Sequence, residues 1–598
     1  MTKLDTSKTE WDLSPLLAGD DDPKIEEYRK AVTEKVDAFV EKWRDRDDYL
    51  KDPKVLREAL DEYERLHAMP GLAYDDLYFH LRTRVETQNK DLTAKLQLAE
   101  DFALSIWNKM QFFSLKIGQI PEDVQKSLLR ADELKTYYHW LDKVFRAARY
   151  KLSEKEEAIL NLTSTASYSN WVKMLQRFIS KEERKVLFAD GSTGKANWEM
   201  LSSLAGDDSV KVRQAAKVAI EDIQNKYVDV AEAELNSVLQ NQKVGDELRG
   251  HKRPDQHRHM NDDIDSDVVD AVVKTVESRN DLSRRFFDLK AKLHKVDHLA
   301  YSERAVGYGE ATAEYPYDQA ANLVGEVFQE LDPDFYDIYS NMLATGRVDA
   351  LARKNKSGGA FCISIGPQHP VYVMLNHTNT MRDVATIAHE MGHAIHSTLS
   401  IRAQNALNCD YPTSVAEVAS TFMEDFIYQR LLEEADEETE LSLRVGLLND
   451  LIASCHRQIA CYQFEQDIHQ GYRQKGYLSK DEINDLFNAR MEGYLGKHAE
   501  GSDNFWVAWP HIRNYFYVYS YASGILISKA LQSKVKKDKA FISKVKEFLS
   551  AGSSKSPKEI FADMGIDITD KAFWQEGLKE IEQQLDETEK LAKKLGKI

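Results

Sequence analysis

Apolar residues recur at three- and four-residue steps through most of the chain, which is the pattern of amphipathic α-helices. Strand-like patterns are rare. The continuous apolar run at residues 371–375 indicates a buried strand, and the turn-rich segment at 188–197 predicts a hairpin or a loop. The pattern therefore predicts a mainly α protein with little sheet. Helical segments are expected at about 23–113, 121–183, 265–345 and from 414 almost to the C-terminus.

The chain has 598 residues, which is more than one hydrophobic core usually serves. We therefore expect at least two lobes with a cleft between them. The turn-rich segment at 188–197 is the expected connection, so that a helical N-terminal lobe covers residues 1–195. The second domain then covers residues 196–598.

Residues 380–399 carry the most informative pattern. Thr380 is an N-cap candidate, and a buried stripe follows it at helical spacing, so the segment should be a helix directly after a strand. It contains the sequence H-E-x-x-H, and on a helix His389 and His393 lie within about 40° of each other. Two such imidazoles can share a zinc ion, with Glu390 beside a water at the metal. The alternative is two partly exposed histidines on an amphipathic helix.

A catalytic zinc site usually has three protein ligands and a water. The metzincin extension is excluded, because His396 and Leu399 stand where it needs Gly and His. Glu417 and Glu424 both qualify by residue type and, being seven residues apart, fall on nearly the same helix face. Glu417 has an alternative role, because Ser414-x-x-Glu417 has capping-box spacing.

Two neighbours of these histidines were also weighed. His396 is expected to be a packed neighbour rather than a ligand. Asp383 either accepts a hydrogen bond from a ligand histidine or is a solvated surface carboxylate.

A second cluster combines His511 with a dense run of tyrosines. If the segment is helical from Pro510, Tyr515 lies about 40° from His511, while Tyr517 faces away. Tyr519 and Tyr521 then lie about 80° to either side. A histidine or a tyrosine hydroxyl near zinc can stabilise the oxyanion of a tetrahedral intermediate. The alternative is an aromatic packing stripe.

Composition narrows the partners and the compartment. The formal net charge of -19 argues against nucleic acid, which needs a basic footprint. The four cysteines form no C-x-x-C pair, which is typical of a reducing compartment. No signal peptide and no membrane span are recognisable, so we expect a cytoplasmic protein without a membrane partner. The segment with His251, His257 and His259 should be an exposed loop rather than a second metal site.

Several motifs together resemble one family. HEMGHAIHS at the zinc helix, SVAEVAST at 414–421, KSGGAFC at 356–362 and PHIRNYFYVYSYASG at 510–524 are similar to oligoendopeptidase F. That group belongs to the thimet-oligopeptidase-like (M3) metallopeptidases. The resemblance extends over essentially the whole chain, and the two motifs that carry zinc ligands are its most specific parts.

The resemblance implies an all-α catalytic fold in which two helical lobes enclose a deep substrate channel, with a small β-sheet beside the zinc helix. It implies an oligopeptidase F N-terminal type of domain at about 115–185 and an M3-type catalytic domain over 196–598. One Zn²⁺ per chain would be held by His389, His393 and Glu417. Glu390 would be the general base, and Glu424 would orient a ligand imidazole.

The implied activity is endopeptidase cleavage of short unfolded oligopeptides. The oxyanion would be stabilised by His511 and Tyr521. A zinc carboxypeptidase or dipeptidase and a non-catalytic peptide-binding protein are the alternatives, and the oligomeric state, monomer or homo-oligomer, is left open. Residues expected to contact the substrate, partly by pairing with its backbone as an added strand, are Gly358, Gly359, Ala360, Phe361, Tyr515 and Tyr519.

Overall fold

The computed structural model describes residues 4–69, 71–309 and 313–598. The chain forms two compact units, each assembled from three separate stretches. Unit 1 contains Met1–Arg149, Thr312–Leu431 and Lys534–Ile566. Unit 2 contains Tyr150–Ala311, Leu432–Ser533 and Asp567–Ile598.

The first stretch of unit 1 is helical. Its apolar stripes meet in one core, in which Trp43, Tyr49 and Phe113 are fully buried. Polar caps define where helices begin: Asp52 accepts hydrogen bonds from the backbone N–H groups of Lys54 and Val55. The helices are α1 (Lys24–Trp43), α2 (Pro53–His67), α3 (Tyr74–Val85), α4 (Lys90–Gly118), α5 (Glu122–Leu128) and α6 (Tyr138–Ala148).

The first stretch of unit 2 contains a hairpin among helices. Strands β1 (Glu183–Leu187) and β2 (Thr193–Asn197) pair antiparallel, which confirms the hairpin predicted at 188–197. Ser153 and Glu156 form a capping box at the start of this stretch's first helix. The helices are α7 (Glu154–Ser164), α8 (Asn170–Ser180), α9 (Trp198–Leu204), α10 (Val210–Arg249), α11 (Gln256–Asn261), α12 (Ser266–Glu277) and α13 (Asn280–Leu293).

The histidine-rich segment before α12 is not the exposed loop that we expected. His259 lies on α11, is buried, and is hydrogen-bonded to Ser266 Oγ and Tyr462 Oη at 2.9 Å each. His251 is hydrogen-bonded to Asp246. The expectation was wrong because these polar side chains find hydrogen-bond partners on α10, on α12 and, in the case of Tyr462, more than 200 residues along the chain.

The central stretch of unit 1 holds the sheet. After helices α14 (Tyr317–Leu331) and α15 (Pro333–Ala344) come strands β3 (Val348–Leu351), β4 (Phe361–Ile363) and β5 (Tyr372–His377). The strand order is β3-β5-β4, with β3 parallel and β4 antiparallel to β5. The central strand β5 is almost entirely buried and confirms the strand predicted at 371–375. The edge of β4 away from β5 has no partner within this sheet.

Two long helices follow the sheet, α16 (Met381–Ala403) and α17 (Thr413–Glu434). Thr380 caps α16, and Asp383 completes a capping box with it. Asp383 also accepts hydrogen bonds from Thr378. It therefore has neither of the two roles considered for it, since its carboxylate is used to start the helix.

The remaining helices are α18 (Glu437–Ile452), α19 (Gln458–Lys475), α20 (Lys480–Leu495), α21 (Tyr519–Lys537), α22 (Ile542–Leu549), α23 (Pro557–Asp563) and α24 (Lys571–Lys594). Of these, α22 and α23 belong to unit 1, α21 continues from unit 2 into unit 1, and the others belong to unit 2. The predicted mainly α class with a small sheet before the H-E-x-x-H helix is confirmed. The domain division at residue 195 and the channel stay predictions. Within the described ranges, every helix is too short or too polar to span a lipid bilayer.

Candidate metal centre

The site begins with two histidines on one face of α16. His389 and His393 are one turn apart, and their ring centroids are separated by 5.1 Å with the planes at 83°. The helix is held in place by its apolar stripe, since Val384, Met391 and Ile395 are fully buried. The two imidazoles are therefore presented by a rigid element, as the H-E-x-x-H spacing predicts.

Glu417 on α17 brings a carboxylate to both histidines. Its Oε2 lies 3.6 Å from His389 Nε2 and 3.7 Å from His393 Nε2. One ligand atom from each of these three residues lies within 4.8 Å of the other two. Ligands about 2.1 Å from a tetrahedral zinc are about 3.4 Å apart, so the trio fits a zinc ion with only small adjustments. Ser420 Oγ donates to Glu417 Oε2 at 2.9 Å and helps to orient it.

Outer hydrogen bonds orient the imidazoles. His389 Nδ1 is hydrogen-bonded to Glu424 Oε2 at 3.0 Å, so Nε2 is the nitrogen that faces Glu417. His393 is hydrogen-bonded to the backbone of Ala416. This arrangement, a carboxylate or carbonyl behind each imidazole, is the usual support of ligand histidines in metal sites.

The charges around the trio favour a cation. Burial disfavours the charged form of His389, but the hydrogen bond to Glu424 and the charges of Glu424, Glu390 and Glu417 raise its pKa to about 9. Glu390 is itself buried, which raises its pKa to about 7, with His389 opposing and Glu417 and Glu424 adding to the shift. Three carboxylates around two imidazoles thus create a site that attracts positive charge.

Gly392 allows the two helices to approach this closely. A Cβ at this position would lie 2.7 Å from the carbonyl oxygen of Ala419 and 2.7 Å from Ser420 Cα. The backbone of α17 is therefore in direct contact with α16 one residue before His393. No role for Gly392 is predicted from the sequence. A glycine inside an otherwise good helix pattern was the available signal.

A cavity of about 630 Å³ opens beside the trio, lined entirely by unit 1. His389, Glu390, His393 and Glu417 line it together with Ala360 and Phe361 at the start of β4. Gly358 and Gly359 are exposed just before this strand, where Asn376 Nδ2 donates to the Gly359 carbonyl. Two of the four residues predicted to pair with substrate are thus at the cavity wall, and two are in the turn that precedes it.

A sequence model described as "Peptidase family M3" matches residues 203–580, more than half of the chain. The chain belongs to peptidase family M3. A second model, described as "Oligopeptidase F", matches residues 116–177. The predicted family and the metallo-endopeptidase class are therefore confirmed.

Relatives match along most of their length. Oligopeptidase PepF of Bacillus subtilis (strain 168) is 25% identical over 556 residues, which cover 90% of this chain and 81% of the relative. The oligoendopeptidase F homolog of Borreliella burgdorferi is 24% identical over 603 residues, covering 97% and 98%. Among solved structures, a Chlamydophila abortus chain has a TM-score of 0.84 at 21% identity and covers 98% of both chains. Oligoendopeptidase-F from Enterococcus faecium has a TM-score of 0.69 at 19% identity, covering 96% and 99%.

Unit 2 of this M3 peptidase brings His511 together with two tyrosines. The Tyr517 hydroxyl and His511 Nδ1 are hydrogen-bonded at 2.5 Å. The rings of Tyr517 and Tyr521 are 5.8 Å apart, and those of His511 and Tyr521 are 6.4 Å apart. Burial, with a contribution from the charge of Arg457, lowers the pKa of His511 to about 4, so the imidazole is neutral at pH 7.

The single helix assumed from Pro510 onward is wrong. Residues Pro510–Arg513 form one 3₁₀ turn, Tyr515 and Phe516 have left-handed backbones with φ of 48° and 61°, and α21 begins only at Tyr519. Tyr517, expected to face away, therefore contacts His511 and is a residue that the sequence analysis missed. Nothing in the local pattern signals this, because bulky aromatic residues do not favour positive φ.

The other two tyrosines are occupied in the interior of unit 2. The Tyr519 ring is fully buried, and its hydroxyl donates to Asp262 Oδ2 at 2.7 Å. The Tyr515 hydroxyl donates to the Val238 carbonyl at 3.1 Å, and its ring stacks on Tyr168. In these positions the two side chains stabilise unit 2, which argues against the substrate contacts predicted for them.

His396 is a packed residue, as expected. It is buried and stacks on Tyr411 with ring centroids 3.6 Å apart and planes at 6°. Burial lowers its pKa to about 3, so the ring stays neutral at pH 7.

Replacing Gly392 with Ala should weaken metal binding. The new methyl would push α17 away from α16, which displaces Glu417 and costs about 1–3 kcal/mol in packing. We expect a zinc affinity at least tenfold lower and a lower melting temperature. Gly446→Ala on α18 is the control, because a Cβ there meets nothing within 4 Å. Equal zinc affinity of the Gly392→Ala and Gly446→Ala variants in a competition titration would contradict this role for Gly392.

Glu417→Ala should lose most of its bound zinc, because one of three ligand atoms is removed. Glu424→Gln should keep zinc but bind it about 10–100-fold more weakly, since it acts through His389. Metal content by mass spectrometry after dialysis measures the first effect, and competition with a chelating dye measures the second. Full occupancy in Glu417→Ala would show that another group completes the site.

Proposed function

We propose that this M3 peptidase is a zinc-dependent endopeptidase that hydrolyses internal bonds of short, unfolded oligopeptides. The observation that carries the proposal is the convergence of His389, His393 and Glu417 from two helices, with Glu390 beside them. The names of the relatives, oligopeptidase and oligoendopeptidase F, support this substrate class.

The residues of this chain have separate roles in the proposed hydrolysis. A bound zinc ion would polarise the scissile carbonyl and make a water molecule a stronger acid. Glu390 accepts a proton from that water as the water oxygen bonds to the carbonyl carbon. It then delivers the proton to the nitrogen of the departing peptide, so that the C–N bond breaks to leave a carboxylic acid and a neutral amine. Glu424 holds His389 in the tautomer that directs Nε2 at the metal.

The edge strand β4 supports an extended substrate. Ala360 and Phe361 line the same cavity as the candidate ligands, and the outer edge of β4 has no partner in the sheet. An unfolded peptide can add to such an edge as a further strand, whereas the backbone of a folded protein is already paired. This preference for unfolded chains agrees with the proposed oligopeptide substrates.

We propose one zinc ion per chain, bound by the ligand trio. We also propose that the protein is located in the cytoplasm, because its four free cysteines would be exposed to oxidation in an oxidising compartment. Cell fractionation tests the location. The net charge of -19 supports the expectation that nucleic acid is not a partner.

Glu390→Gln should retain zinc and lose turnover. The amide is of equal size but cannot accept the proton, and loss of general acid–base catalysis lowers kcat by about 10²–10⁴-fold. The assay uses internally quenched peptides blocked at both termini, with and without a chelator, so that only endo-cleavage gives signal. Cleavage by the wild-type enzyme should stop with chelator and return with zinc.

Three other outcomes of that assay would contradict the assigned base or favour an alternative function. Normal turnover by Glu390→Gln would refute the assigned base. Cleavage only of peptides with a free terminus would favour the carboxypeptidase or dipeptidase alternative. Binding of peptides without any chelator-sensitive cleavage would favour a peptide-binding protein.

We further propose that His511 and Tyr521 stabilise the oxyanion, with Tyr517 orienting the imidazole through its hydrogen bond. His511→Ala and Tyr521→Phe should each lower kcat by about 10²–10³-fold, the usual effect of removing an oxyanion donor. Zinc content should not change, because neither residue belongs to the ligand trio. Wild-type kcat in both variants would favour the alternative, in which His511 and the tyrosines only pack against one another.

A further inference from the structure

The cavity beside the ligand trio continues well beyond it along α16. His389, His393, Ser397 and Ile401 all line it and succeed each other at four-residue steps. Since a helix rises 1.5 Å per residue, Ile401 lies about 12 Å beyond His393 along the axis. The cavity is therefore longer than the metal site requires, and its lining changes from imidazole and carboxylate at one end to aliphatic carbon at the other.

The N-terminal helices of unit 1 form part of the cavity wall. Trp107 on α4 and His67 at the end of α2 lie with ring centroids 5.0 Å apart, and both line the cavity. Leu72 and Ala73, before α3, complete this wall. Trp107 remains 39% exposed, so a large aromatic face is left available to a ligand.

The segment after α16 forms another part of the wall, and side-chain contacts hold it in place. The Tyr411 ring stacks on the buried His396, and its hydroxyl is hydrogen-bonded to Ser397 Oγ at 3.0 Å. Ala406 and Cys409, small residues in the segment after α16, line the cavity beside it. A pocket with immobile walls and small residues at one side can accept a bulky side chain without rearrangement.

The charge of the lining selects against acidic groups. Glu390, Glu417 and Asp410 line the cavity, whereas none of its described lining residues is a lysine or an arginine. Burial lowers the pKa of His67 and lowers that of His369 to about 4, so both imidazoles are neutral at pH 7. Apart from the metal ligands themselves, a carboxylate entering this space would meet the carboxylates of Glu390 and Asp410 and no lysine or arginine.

We propose that this cavity is a side-chain subsite that selects a bulky apolar residue, preferably aromatic, next to the scissile bond, and that Trp107 determines this specificity. The inference rests on the proposed peptidase function and names the substrate class more narrowly. Exclusion of water between Trp107 and an apolar side chain supplies the selectivity, and one or more methylenes in such a pocket are worth about tenfold or more in kcat/KM.

The test compares peptides that differ at one position. Doubly blocked, internally quenched peptides carry Phe, Leu, Ala or Glu at each position near the cleaved bond in turn. At one position flanking that bond, wild-type kcat/KM should be at least tenfold higher for Phe than for Ala, and lowest for Glu. Trp107→Ala should reduce the Phe-to-Ala ratio to about threefold or less.

Two further variants make the result specific. Leu104→Ala is the matched control, because Leu104 is on the same helix, is 60% exposed and is not among the cavity residues. It should keep the wild-type ratio. Ala406→Leu should reduce the ratio by filling part of the cavity with a larger side chain, without removing any aromatic surface. An unchanged ratio in both Trp107→Ala and Ala406→Leu, or an equal loss in Leu104→Ala, would overturn the proposal.

A binding measurement separates this inference from the proposed function. The Glu390→Gln enzyme is titrated with the same peptides, with and without the additional Trp107→Ala substitution, and Kd is measured by fluorescence anisotropy. Tighter binding of the Phe peptide that depends on Trp107 would support the subsite even if no peptide were cleaved. Cleavage with no preference at any position would instead leave the peptidase intact and refute the subsite.

Discussion

The direct contact between α16 and α17 is the constraint on which the site depends. Gly392 leaves no side chain between the two backbones, so α17 runs against α16 at Ala419 and Ser420. This closeness allows a short carboxylate side chain, Glu417, to reach both imidazoles. One helix supplies two candidate ligands by its own periodicity, and packing supplies the third.

Burial and charge act together at this contact. In this partly desolvated space, two imidazoles cannot balance the negative charge of three carboxylates, because the carboxylates are in excess. A divalent cation would resolve this imbalance, and the hydrogen bond between His389 Nδ1 and Glu424 leaves Nε2 facing Glu417. The same partial burial keeps Glu390 beside the site as a group that can exchange a proton near neutral pH.

Membership of family M3 explains why this chain has a metallopeptidase site. Its selectivity for particular substrate side chains has to come from the residues of its own cavity. The cavity joins residues of α16 to residues of α2 and α4, which are more than 250 positions earlier in the chain. Under the two proposals, its polar end holds the candidate metal ligands and Glu390, and its apolar end recognises a substrate side chain. The candidate ligand trio and the proposed subsite thus line one continuous cavity of unit 1.

The sequence by itself determined the local features: the strand before α16, the N-cap at Thr380, and His389 and His393 on one helix face. These depend on spacing within a few residues. The sequence left two roles open for Glu417, metal ligand or capping-box partner. It also predicted a continuous helix after Pro510, which is wrong because Tyr515 and Phe516 have left-handed backbones. Those residues are held by tertiary contacts: buried Glu465 accepts the Phe516 N–H at 3.0 Å, and buried Arg513 pairs with Glu234 at 2.8 Å. Only tertiary structure could decide these points, since groups far apart in sequence supply the energy that overrides local preference.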